Sequence, residues 1–149
     1  MDDSQKNSTK MTPHFEPLDD IGAQPAKILL AEESYAVVGA AMEVYYKLGS
    51  GFAELVYQEA LEIEFGIRGI PFMREKWLKI DYKGYTLKKE YKADFLCFDQ
   101  IIIELKAVPQ LMPVDWAQIM NYLKASHLRL GLLFNFGSSV RLEQKRVIV

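Results

Sequence analysis

The sequence predicts an α/β protein, a mixed central β-sheet flanked by helices with elements in the order ααβββαββ. Three observations predict it. Apolar residues recur every three or four positions between 28 and 65, then give way to β-branched and aromatic runs between 72 and 106. Helical spacing returns after Pro113, and two further β-type runs, one strongly apolar, close the chain.

The bulk numbers agree with one domain. A chain of 149 residues can hide about 68–70% of the surface its unfolded form exposes, enough for a real core. Hydrophobic residues are 50% and charged residues 26%, which excludes the disordered and fibrous classes. Cys97 is the single cysteine, so an intrachain disulfide is excluded, and its apolar setting predicts a buried, inert thiol. A net charge of -2 argues against a large uniform positive field but leaves a local basic face open. The N-terminus, MDDSQKNSTK, lacks an apolar core and no later run could span a bilayer, so no membrane is expected and a cytoplasmic setting is.

Residues 1–27 carry prolines at 13, 17 and 25 and no sustained apolar period, and read as a flexible leader before a single domain at 28–149. His14 falls in this tail and reads as solvent-exposed. From Ile28 to Leu48 the positions Leu30, Ser34, Val37, Val38, Ala41, Met42, Tyr45 and Leu48 mark an amphipathic helix that Gly49-Ser50-Gly51 ends. A second helix runs from about Ala53 to Phe65, with Gly66 as its expected C-cap. Glu54, Tyr57, Gln58 and Leu61 share one of its faces, and Glu54 in the first turn is favoured by the helix dipole.

Lys83-Gly84 lies between β-type segments, which predicts a hairpin with strands near 72–82 and 85–98. Ile101 to Lys106 follows as a third strand of a meander, its triple isoleucine implying cover on both faces. Pro109 and Pro113 break the chain before a helix from Asp115 to about Ser126, where Trp116, Ile119, Met120 and Leu123 form the apolar stripe. Gln118 and Tyr122, four apart, share a face of that helix. Leu128 to Phe136 reads as a central strand and Val140 to Val149 as the last.

Within this frame Asp94, Glu104 and Lys106 are costly residues to bury, because an ionised carboxylate in low dielectric loses most of its hydration. A divalent cation would offset that cost; a plain ion pair on a solvated face is the bland alternative. Glu104 and Lys106, two apart in a strand, project from one face. Asp94 joins them only in one register. A two-residue loop at Asp99-Gln100 would put Asp94 opposite Leu105 and on the other face, whereas a three-residue connection or a bulge puts it opposite Glu104. The offset register is the expectation.

Gly51-Phe52-Ala53-Glu54-Leu55-Val56-Tyr57 resembles the signature of the GxxExxY proteins. The likeness continues through Lys83-Gly84, Ala93-Asp94, Glu104 to Val108, Gln118 with Tyr122, and Gly131 to Gly137. Two places depart from it: Val44-Tyr45 stands where a Val-His is expected, and Gly49-Ser50-Gly51 where Gly-Pro-Gly is. That family resembles the PD-(D/E)XK nuclease superfamily, which implies a restriction-endonuclease-like core. The resemblance also implies a metal-dependent phosphodiesterase using Mg²⁺ or Mn²⁺ on nucleic acid, DNA first. Asp94 and Glu104 would then be metal ligands with the backbone carbonyl of Leu105, and Lys106 would position or activate water. Glu54 would hold a metal-bound water or a second ion, Gln118 would orient Lys106 or the phosphate, and Tyr122 would pack or hydrogen-bond behind them.

Arg68, Arg74, Lys76, Lys79, Lys83, Lys88, Lys89 and Lys92 offer a path for nucleic acid over 68–92, with Trp77, Tyr82, Tyr85 and Tyr91 among them for base stacking. A solvated hairpin with edge lysines explains the same residues. The competing reading of the whole chain is a nuclease-fold binding or accessory subunit without turnover, and an oligomer or a protein partner stays open.

Overall fold

The structure, a computed structural model, describes His14–Glu16 and residues 29–149. Its sheet has six strands. They are β1 (His14–Glu16), β2 (Phe72–Tyr82), β3 (Tyr85–Cys97), β4 (Ile101–Lys106), β5 (Leu130–Asn135) and β6 (Glu143–Ile148), in the order β1-β6-β5-β4-β3-β2. The central β4 and β5 run parallel and every other neighbouring pair is antiparallel. Parallel neighbours need a crossover, and α3 (Pro113–Ser126) supplies it. The mixed sheet with flanking helices is the one the sequence predicts.

Two departures concern ends of elements. The stretch read as a leader contributes β1, whose backbone pairs with β6 at His14↔Ile148; the rest of 1–27 lies outside the described residues. The second helix, α2 (Glu54–Arg68), continues through Gly66, and Gly69 is the left-handed C-cap. Both glycines follow the apolar stripe, but only Gly69 has positive φ, at 66°.

The first helix, α1 (Ala31–Leu48), and α2 cover one face of the sheet. Val37, Ala41 and Val44 from α1 and Tyr57, Leu61 and Phe65 from α2 meet Phe95, Ile101, Ile103, Leu105, Leu132 and Phe134 there. The other face packs on α3 through Ile119, Tyr122 and Leu123 against Leu78, Ala93, Ile102 and Leu133. This is why the isoleucine run is apolar at every position: Ile101 and Ile103 enter one layer and Ile102 the other.

Tyr57 is fully buried, stacks on Phe136 at 4.5 Å between ring centroids, and donates its hydroxyl to Gly49 O at 2.6 Å. The Tyr57 hydroxyl oxygen in turn accepts the Phe52 N–H at 3.2 Å, so the tyrosine fixes the turn that aims the start of α2 at the sheet. On the far side of Phe136, buried Asn135 closes another loop. Its Oδ1 accepts Val108 N–H at 2.9 Å and Gly137 N–H at 3.0 Å, and its Nδ2 donates to Val108 O at 2.8 Å.

A Cβ on Gly137 would stand 2.2 Å from Val108 O and 2.4 Å from Val108 N, backbone atoms that Asn135 holds in place. Gly137→Ala is therefore expected to cost at least about 1–3 kcal/mol, a fall in Tm of about 2–4 °C per kcal/mol in thermal melts. Gly66→Ala, in an exposed helical position with open space around it, should be neutral or stabilise by up to about 1 kcal/mol.

Candidate metal centre at a break in the sheet

The site begins with a turn. Cys97 pairs with Ile101, Leu96 with Ile102 and Phe95 with Ile103, so Phe98, Asp99 and Gln100 form a three-residue connection. Phe98 and Asp99 both take φ of 55°, and Gln100 N–H closes the turn on Cys97 O at 3.0 Å. The extra residue shifts the register by one, as a bulge does, and brings Asp94 opposite Glu104.

At Asp94 the regular ladder stops on both sides. The β3–β4 pairing ends at Phe95↔Ile103. Toward β2, Arg74 pairs with Phe95 and Lys76 with Ala93, while Glu75, opposite Asp94, is left out with φ of 56°. Side chains consequently change sides: Ala93 and Phe95, which share a face in a regular strand, pack into opposite layers. Carboxylates take over the missing ladder bonds. Asp94 N–H donates to Glu104 Oε1 at 3.2 Å, and Leu105 N–H donates to Asp94 Oδ2 at 2.7 Å.

Glu104 is only 4% exposed. Burial first, and the adjoining Asp94 carboxyl second, hold its carboxyl well above the usual carboxylate range, against the opposing pull of the Asp94 N–H and then of Lys106. Glu54, on the first turn of α2, keeps contact with solvent, but partial burial raises its pKa too; Asp94 and Asp115 add to the rise and Lys106 opposes it. The helical acid thus lies within the electrostatic reach of the strand residues.

Lys106, whose side chain is 18% exposed, donates from Nζ to Gln118 Oε1 at 2.5 Å and lies 4.0 Å from Asp115 Oδ1. Gln118 Nε2 donates to the Tyr122 hydroxyl at 2.9 Å, so the two ends of the amide are committed to different partners. Burial, with the Glu104 charge next, pushes the Tyr122 hydroxyl up to about 12, leaving it protonated at neutral pH. The helix bearing these residues is fixed at both ends of the contact. Asp115 Oδ2 accepts Met112 N–H at 2.7 Å at the helix start. Gly131 lets Ile119 approach β5 to a distance no Cβ would allow, 2.7 Å from its would-be position.

Every expected site residue therefore lies around one point: Asp94, Glu104, Leu105 and Lys106 at the break, Glu54 beside it, Gln118 and Tyr122 from α3. Two partners carried weaker sequence signals. Asp115 reads as a cap and also neighbours Lys106. Gln58, 2% exposed, reaches Asp94 O at 3.5 Å and accepts Arg74 Nη2 at 3.2 Å; a polar residue on the apolar face of α2 was its signal. Arg74 and Arg68, expected on the nucleic-acid path, are instead engaged with Glu62 at 2.5 Å and Glu64 at 2.7 Å, and Arg68 belongs to α2. The basic path is thereby reduced to the lysines, of which Lys92 Nζ stands at the looser distance of 4.0 Å from Glu75 Oε2. Cys97 is buried, and burial raises its thiol to about 12, as its inert reading expects.

The donor set suits a hard divalent cation. Glu104 lacks a counter-charge in contact, Asp94 stands against it, and the Leu105 carbonyl faces the same side as the N–H that Asp94 accepts, as both groups of one residue do in a ladder. Among the described residues no three His, Cys, Asp or Glu side chains form a closed metal cluster. Two carboxylates and a carbonyl completed by water is how Mg²⁺ is commonly held.

A search of curated proteins and one of solved structures give no match. A family model for the PD-(D/E)XK nuclease superfamily matches residues 31–147, from the start of α1 to β6. With that span covering most of the domain and the mixed sheet in place, the chain belongs to the PD-(D/E)XK nuclease superfamily.

Proposed function

We propose that the protein is a metal-dependent nuclease of the GxxExxY type that hydrolyses phosphodiester bonds, most naturally in DNA. The observation that carries this reading is the mutual hold of Asp94 and Glu104 at the sheet break, with Lys106 two residues on and clasped by Gln118. Structural ion pairs do not require it: burying two adjoining carboxylates is unfavourable without a cation to take up their charge.

Asp94 and Glu104 would be the side-chain ligands of Mg²⁺ or Mn²⁺, with the carbonyl of Leu105. The bound cation would supply a lowered water pKa and polarisation of the phosphoryl oxygens. Lys106 has three donors, of which Gln118 takes one; the remaining ones would orient the attacking water and offset charge gathering on the phosphate. Gln118 holds the ammonium in place, and Tyr122 holds Gln118. Glu54 would accept a hydrogen bond from water above the carboxylates or help hold a second ion. The lysines of β2 and β3 would provide the electrostatic approach for the polyanion.

Plasmid and single-stranded DNA incubated with Mn²⁺ should be cleaved by the wild-type protein, and Asp94→Ala or Lys106→Ala should lower the rate by about 10²-fold or more. Equal activity in all three preparations would mean contamination; uptake of DNA with no cleavage would support an accessory binding subunit instead.

Metal-free stability should fall as pH rises. Unfolded Glu104 ionises near about 4.3, and folded Glu104 above that value, so between the two the folded state holds the extra proton. The contribution is whole below the unfolded value and fades as pH climbs toward the folded one. Melts across this window should show a declining Tm for wild type, a flatter profile and a higher Tm at alkaline pH for Glu104→Gln, and a Mg²⁺-induced rise in wild type alone.

A further inference from the structure

The β3–β4 pairing stops at the break, and β4 itself ends at Lys106, which the register sets opposite Lys92, so the part of β3 before Lys92 has no β4 partner. The β2–β3 hairpin continues alone past the end of its neighbour. Between this part of β3 and α3 lies a groove of about 780 Å³. Trp77, Lys89 and Lys92 line it from the hairpin, Val114 and Asn121 from α3, and Lys106 with Gln118 at the candidate site. Trp77 is 52% exposed, an unusual state for so large an aromatic, and Lys92 Nζ lies 5.3 Å from its ring centroid. Glu90 also lines the groove, but it stands across the ladder from Lys79.

We propose that this groove takes one unpaired strand of nucleic acid, with a base stacked on Trp77 and its phosphates led by Lys89 and Lys92 to Lys106. This rests on the nuclease reading of the site and adds the form of the substrate. Volume is the first reason: the groove is of the size that holds one small-molecule ligand, about one or two nucleotides, and two paired backbones would not share it. Composition is the second. An aromatic face beside lysines is the arrangement that binds single strands without reading sequence, since every base has a π-face to stack. Depth is the third, because Lys106 and Glu104 are largely buried and a phosphate must descend between β3 and α3 to reach them.

The test is binding of short labelled DNA and RNA oligonucleotides to the full chain in EDTA, single-stranded against duplex of the same sequence, across a salt series. Single strands should bind more tightly than duplex. Trp77→Ala should weaken single-strand binding about 5- to 100-fold, the loss of one stacked base, with the salt slope unchanged because no charge is removed. Trp77→Phe should recover most of it, and Tyr46→Ala, exposed on α1 outside the groove, should match wild type. Comparison of the DNA and RNA arms decides which sugar the groove takes. Duplex binding as tight as single-strand binding, or wild-type affinity in Trp77→Ala, would overturn the proposal. Single-strand binding without Mn²⁺-dependent cleavage would remove the nuclease reading and leave this one; duplex-preferring cleavage indifferent to Trp77 would do the reverse.

Discussion

Glu104 sits on a central strand, nearly sealed from water, with its carboxyl accepting the main-chain N–H of Asp94 while the Asp94 carboxyl accepts the main-chain N–H of Leu105. Two acids in that position substitute for ladder hydrogen bonds, so neither can be removed without leaving a backbone donor in low dielectric. Yet they also crowd like charges together, which burial makes worse. Stability and function pull against each other at this point, and a bound divalent cation reconciles them.

Much else follows from keeping that break in place. The three-residue turn after Cys97 sets the register that joins the two acids. Glu75, left out of the β2–β3 ladder, opens the other flank, and Gln58 comes from α2 to the Asp94 carbonyl there. Tyr57 fixes the turn leading into α2, and Gly131 lets α3 come close enough for Gln118 to clasp Lys106. Residues far apart in sequence thus share one task, to hold a lysine and two carboxylates on the α3 side of the sheet.

How much of this was legible depended on whether the signal was local. The strands at 72–82 and 101–106 and the hairpin turn at Lys83-Gly84 were readable because runs of β-branched and aromatic residues and turn residues carry their own information. Asp94, Glu104 and Lys106 stood out as charges in apolar runs, and their side of the sheet reduced to a register question. The end of α2 was misread because two glycines follow its stripe and only backbone angles tell them apart. β1 was missed because three residues carry no periodicity, and its pairing with β6 is a contact between chain ends. The engagement of Arg74 by Glu62 and Gln58 was hidden for the same reason: it joins β2 to α2, and sequence spacing does not report such a meeting.

The central claim is that Asp94 and Glu104 are held together for a cation. Diffraction from a crystal soaked in Mn²⁺, recorded for anomalous signal, addresses it directly. The account predicts a peak within about 2.0–2.6 Å of oxygens from Asp94, Glu104 and the Leu105 carbonyl. A site without anomalous density, its two carboxyls still bonded only to the main-chain N–H groups of Asp94 and Leu105, would contradict it.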